Sequence, residues 1–207
     1  LSVLLFMLSG AGNTLLGLNF RSVSTGSSLS QSSVLCMVQD STGFLWVGTK
    51  DGLNRFDGYE YVSFKYDVED ESSLSNNEIS CLLLQDSTYL WIGTRSGGIN
   101  RLELATNKIT RYRGLTYDDL IRDLYIDEGG HLWAGTSEGL LLYESGPENE
   151  PGQFKNISRN VIYRQHTNEP FNPIRKNVSV VSIFQHEPGK LILGAEEGLF
   201  EFDLAEA

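Results

Sequence analysis

Val34-Leu-Cys-Met-Val-Gln-Asp40-Ser-Thr-Gly-Phe-Leu-Trp46-Val-Gly-Thr49-Lys-Asp-Gly52-Leu-Asn-Arg55-Phe-Asp-Gly58 is a stretch that this chain writes more than once. A second copy spans Ile79 to Arg101, with Trp91-Ile-Gly93-Thr94 at its centre, and a third spans Ile121 to Tyr143 around Trp133-Ala-Gly135-Thr136. A faded fourth, Val180 to Phe202, has Leu191-Ile-Leu-Gly194-Ala195 in place of the tryptophan motif. Trp46 and Trp91 are 45 residues apart, and Trp91 and Trp133 are 42 apart. A period of about 40–45 residues marks radial β-repeats.

Within a copy, Val34, Cys36 and Val38 alternate with other residues. A turn at Asp40 to Gly43 leads into Phe44 to Val47, and another at Asp51-Gly52 leads into Leu53 to Phe56. Tyr59 to Phe64 then alternates aromatic and polar residues. Period-two alternation broken by Gly and Asp turns predicts four antiparallel strands per copy. Four strands in about 43 residues describe a propeller blade, with the tryptophan filling the space between neighbours. The fold class is therefore all-β: propeller blades approximately at 33–66, 78–113, 120–158 and 178–207, a partial ring of about four. Trp46, Gly48, Thr49, Trp91, Gly93, Thr94, Trp133, Gly135 and Thr136 are its structural signature.

A seven-bladed ring would need on the order of 300 residues, so the 207 residues read as the N-terminal piece of something longer. The ending falls just after what reads as the third strand of the fourth blade. Residues 1–17 carry no charge and open with an apolar run, Leu1 to Leu8, followed by the small residues Ser9-Gly-Ala11. That pattern reads as a truncated signal peptide or membrane anchor and predicts an extracytoplasmic location. Leu18 to Val23 has strand character. An insert within 145–177 holds four of the five prolines, and Phe154 to Ser158 before its main part reads as the fourth strand of blade three.

A net charge of −11 argues against binding nucleic acid through its phosphates, and equally against a polybasic membrane-surface role. Cys36 and Cys81 fall in one column of adjacent copies, continued by Asp123 and Ser182. Their separation across blades is expected to exceed the roughly 7 Å that a disulfide allows, so both read as structural.

The chain shows no nucleophile motif, phosphate loop or metal-spaced cluster. His131, His166 and His186 are scattered, and His131 reads as solvated. Asp40, Asp86 and Asp127 precede the tryptophan strands and read as turn caps rather than as catalytic acids. The acidic connection Asp67 to Asn77 reads as solvated, because it lacks the cage-like spacing that calcium requires. Arg55 and Arg101 recur at matching positions, which packing or salt bridging explains. Ligand-binding candidates are the variable tips Lys50-Asp51 and Arg95-Ser96, with Asp123 as the polar exception in the inner column.

Gln39 to Gly58, together with Leu29-Ser-Gln-Ser-Ser-Val34 and Ser73-Leu-Ser-Asn-Asn77, resembles the two-component regulator propeller repeat. The resemblance implies a periplasmic sensor region of a membrane receptor, most often a hybrid histidine kinase and otherwise a diguanylate cyclase. It further implies a small-molecule ligand, often a carbohydrate fragment, further blades in the same chain and a homodimeric receptor. It implies no cofactor and no enzymatic role for this segment. A secreted propeller lyase or glycosidase is the contrasting reading; it would need a non-repeated acid or base on the axial face.

Overall fold

The computed structural model describes residues 29–147, 150–157, 164–165 and 178–204. The leader reading of residues 1–17, the strand expected at Leu18–Val23 and His166 lie outside these residues.

Four antiparallel sheets of four strands follow one another. The first holds β1 (Val34–Gln39), β2 (Leu45–Thr49), β3 (Gly52–Phe56) and β4 (Tyr61–Phe64) in sequence order. The second holds β5 (Ile79–Gln85), β6 (Tyr89–Thr94), β7 (Ile99–Glu103) and β8 (Ile109–Tyr112). The third holds β9 (Ile121–Ile126), β10 (Leu132–Thr136), β11 (Gly139–Glu144) and β12 (Gln153–Asn156). β12 is the strand expected near Phe154.

The fourth sheet departs from the expected order. Its inner strands are β14 (Val180–Glu187), β15 (Lys190–Ala195) and β16 (Gly198–Asp203). Its outer strand, β13 (Arg164–Gln165), comes from inside the insert and pairs with β16. The chain thus lays down the outside of this blade first, and the blade is four-stranded rather than three-stranded.

β1, β5, β9 and β14 are neighbours of one another in turn, so the first long strand of each sheet forms the inner side of the ring. The sheets pack face to face through the tryptophans. Trp46, Leu53, Ile79, Leu90 and Ile92 share one core, Trp91, Ile99, Ile121 and Leu132 the next, and Trp133, Leu140, Val180, Leu191 and Phe202 the third. All three indoles are at most 2% exposed. Removing so much aromatic area from water supplies the main attraction between blades.

The glycine of each motif is dictated by the column across from it. Cys36 pairs with Gly48, Cys81 with Gly93, Asp123 with Gly135 and Ser182 with Gly194. A Cβ on Gly48 would stand 2.5 Å from Cys36 Sγ and 2.7 Å from Ile79 Cγ2 on the next blade. Only a bare backbone lets the inner strands approach this closely. The two cysteines are free and half-buried, and burial pushes the Cys36 thiol up to about 12. Burial likewise raises the Cys81 thiol.

Candidate functional site

The turns joining second to third strands all lie at one end of the ring, and in the first three blades each is locked by its threonine. Thr49 Oγ1 donates to Gly52 O at 2.9 Å and accepts from Asp51 N at 3.1 Å. Thr94 does the same with Gly98 O and Gly97 N, and Thr136 with Gly139 O and Glu138 N. Gly52 and Gly139 have φ of +120° and +123°, a conformation that side chains disfavour. The rigid turn leaves its tip residues projecting from the rim.

Lys50 and Asp51 from the first blade and Arg95 and Ser96 from the second line one open depression of about 670 Å³. Asn76, Asn77 and Glu78 form its wall between the blades, and Asp118 and Leu120 extend it toward the third. The wall is tied to the tips. Gly52 N donates to Asn77 O at 2.7 Å, Asn77 Nδ2 to Asp51 Oδ1 at 3.3 Å and Asn76 Nδ2 to Ser96 Oγ at 3.1 Å. Lys65 Nζ reaches Asp51 Oδ2 at 2.6 Å, and Arg95 Nε stands 3.8 Å from Glu78 Oε1. Asp118 accepts from Ser137 Oγ at 2.7 Å and from Leu120 N at 3.1 Å. Burial raises its carboxyl, but these bonds together outweigh it and hold the acid below its ordinary value. Lys50 and Arg95 beside Asp51, Glu78 and Asp118 give a rim that can donate to and accept from a hydroxyl-rich ligand.

Four of the five candidates therefore converge, and Asp123 stands apart from them. Its carboxylate accepts from Ile183 N at 2.7 Å and from Leu124 N at 2.9 Å, which bridges the inner strands of blades three and four. Burial raises this carboxyl more than the two N–H bonds lower it.

Asn76, Asn77, Glu78 and Asp118 are lining residues that the sequence pattern does not mark. Asn76 and Asn77 sit in the repeated connector, whose polar letters resemble solvated loop. Their one signal is position, two or three residues before an inner strand. The connector is also anchored by buried asparagines of the third strands. Asn54 Oδ1 accepts from Ser30 N at 2.9 Å and Asn54 Nδ2 donates to Ser30 Oγ at 2.8 Å. Asn100 repeats both bonds with Ser75.

The opposite end is structural. Asp40 accepts from Thr42 N, Phe44 N and Trp46 Nε1, and Asp127 from His131 N and Trp133 Nε1. Asp86 is not the third member of this series. Gln85 occupies that place, receiving Trp91 Nε1 at 2.7 Å, whereas Asp86 is exposed and makes no side-chain hydrogen bond among the described residues. His131 is solvated, with 60% of its side chain exposed, and its Nδ1 also stands 3.0 Å from Asp127 Oδ2. Arg55 lies over Phe44 at 4.8 Å and Arg101 over Tyr89 at 4.7 Å, so stacking rather than salt bridging explains their recurrence. The acidic connection is also held in place, because Arg111 donates to the carbonyls of Asp67, Asp70 and Ser73. Among the described residues no three His, Cys, Asp or Glu side chains gather as a metal site, and no helix is long and apolar enough to cross a membrane.

Comparison with known proteins agrees with this architecture. A curated relative, Histidine kinase P4 of Formosa agariphila, is 49% identical over 51 residues, which is 25% of this chain and 4% of the kinase. Among solved structures, the extracellular domain of BT3049 from B. thetaiotaomicron, by its description a hybrid two component system, superposes with a TM-score of 0.69. The identity there is 24%, covering 86% of this chain and 24% of that one. PorZ, a surface component of the type-IX secretion system of Porphyromonas gingivalis, gives a TM-score of 0.60 at 13% identity, covering 91% of this chain and 28% of its own. At these identities the structural likenesses show the fold. The chain spans about a quarter of those structures and a small fraction of the kinase. Residues 28–51 match the family model of the two component regulator propeller, and the sheets around them are β-propeller blades.

Proposed function

We propose that this chain is an extracytoplasmic ligand-sensing segment of a two-component receptor whose output module is a histidine kinase. The observation that carries the reading is the 51-residue stretch shared with a histidine kinase at 49% identity. The regulator-propeller match over residues 28–51 supports it. The sensing site is the rim depression, where Lys50, Asp51, Arg95 and Ser96 meet Asn76, Asn77 and Asp118. A volume of about 670 Å³ is in the range of small-molecule sites. Its hydrogen-bonding rim suits a hydroxylated ligand such as a carbohydrate fragment. The segment itself performs no chemistry. Occupancy favours one arrangement of a receptor homodimer over another, and that difference in affinity biases the output.

The reading is tested by thermal-shift titration of the protein with a panel of neutral oligosaccharides. The expected result is a saturable rise in melting temperature with at least one, abolished in Lys50→Ala/Arg95→Ala. A panel member that stabilises both proteins equally would place the ligand elsewhere.

A further inference from the structure

A second groove, of about 750 Å³, runs along the outer edge of blade two, away from the rim depression. Its lining gathers Arg101, Lys108, Arg111 and Arg113, together with Glu71 and Glu150. The chain has 16 Lys and Arg residues against 27 Asp and Glu. Four cations in one groove therefore run against the charge of the whole molecule. Among the described residues none of the four forms an ion pair, whereas Lys65, Arg95, Arg122, Lys155 and Lys190 all do.

Neutral partners hold the three arginines instead. The Arg111 guanidinium donates to Ser73 O at 2.8 Å and to Asp70 O at 2.6 Å. Its Cζ stands 5.6 Å from the Tyr66 ring, and that of Arg113 stands 5.9 Å from the same ring. Arg101 is stacked on Tyr89 at 4.7 Å and donates to Tyr143 OH at 3.2 Å. Carbonyls and aromatic rings orient these guanidinium groups in advance, which reduces the ordering cost of binding an anion, and the Asp70 carboxylate offsets only part of the Arg111 charge. Arg111 in β8 and Arg113 just past its end thus share one aromatic ring.

We propose that this groove binds a hydrophilic oligoanion of the acidic-saccharide class, carrying carboxylate or sulfate groups at two or more positions. Guanidinium forks pair with both groups. Besides Tyr89, whose ring is covered by Arg101, Ile109 and Pro151 are the only apolar residues among those lining it, so it lacks the side-chain pockets by which peptides are selected. The site is separate from the rim depression and stands whether or not that depression carries the signal.

The test is calorimetric titration with oligogalacturonate, a sulfated disaccharide, a neutral gluco-oligosaccharide and oligoglutamate, at low and at physiological salt. Lys108→Glu/Arg113→Glu reverses the two exposed cations; Lys190→Ala, in blade four and outside both depressions, is the control. The proposal expects one acidic saccharide to bind and to weaken with salt, and its Kd to rise about tenfold or more in the reversal variant. The blade-four control binds it as the parent does, and the two anionic saccharides show which group is preferred. Neutral-sugar binding that the reversal variant weakens as much as acidic-saccharide binding, tighter binding of oligoglutamate, no binding by either acidic saccharide, or a reversal variant that melts normally and binds unchanged would each overturn it. A reversal variant that melts early is replaced by Lys108→Gln/Arg113→Gln, with the same expectation of weakened binding.

Discussion

Trp133 Nε1 donates to Asp127 Oδ2 at 2.9 Å, across six residues of sequence and one hairpin turn. Trp46 and Asp40 repeat the bond at 2.8 Å, and Trp91 makes it with Gln85 at 2.7 Å. The acid thus does two things at once: it caps its turn, and it satisfies the one polar atom of the ring that fills the space between blades.

Removing Asp40 therefore uncaps a turn and strands a buried indole N–H. Asp40→Ala is expected to cost about 2–3 kcal/mol, read as a fall in the urea midpoint. Asp40→Gln, the residue type blade two already uses at this place, is expected to recover part of that loss.

Acid should act on these carboxylates with a definite sign. Burial raises the carboxyls of Asp40 and Asp127, but the Thr42, Trp46, Trp133 and His131 bonds outweigh it and hold both below their ordinary value. Their stabilisation is complete above the unfolded value near 3.9 and is lost as pH falls through the lower folded values. Asp123 runs the other way, because burial holds its carboxyl raised. Its contribution is fully present below the unfolded value and is lost as pH rises through the folded one. Between pH 2 and 6, Asp127→Asn should flatten the acid loss of stability, and Asp123→Asn should steepen it. Denaturation midpoints followed against pH check both slopes.

The column opposite the motif glycines predicts steric rather than chemical sensitivity. Gly48→Ala places a methyl against Cys36 and Ile79 and is expected to cost about 1–3 kcal/mol. Trimming the wall in Gly48→Ala/Cys36→Ala should relieve part of this, a coupling that a double-mutant cycle measures. Native Cys36 and Cys81 should react slowly with a thiol reagent at pH 8, because burial keeps the thiols protonated. Labelling that is as fast in the folded as in the unfolded protein would contradict this.

Asn100 is fully buried, and it holds Ser75 by two bonds at 2.9 and 2.8 Å. Asn100→Ala should cost about 2 kcal/mol and loosen the connector that carries Asn76 and Asn77. A faster amide exchange at residues 75–78 than elsewhere in blade two is the expected signature.

The sequence made the strands, glycines and tryptophans readable because a repeated structure repeats its letters at a fixed period. It concealed what depends on offsets or on distance. Asp86 has the right letter one residue late, and the register hands its role to Gln85. The Asn54–Ser30 clamp joins residues 24 apart, too far for any local pattern to reveal. β13, two residues long and embedded in an insert, carries no periodicity at all. The rim tips were legible as variable positions between constant ones, but their shared depression depended on neighbouring blades and so needed the packing.

The most direct test of the sensing account is ligand-dependent phosphorylation of the intact receptor, compared between the natural sequence and Lys50→Ala/Arg95→Ala. The account predicts that a ligand found by thermal shift changes the phosphorylation rate of the former and leaves that of the latter at its basal value, with both proteins melting alike. An unchanged response in the double variant, or no response to a bound ligand in the natural receptor, would contradict it.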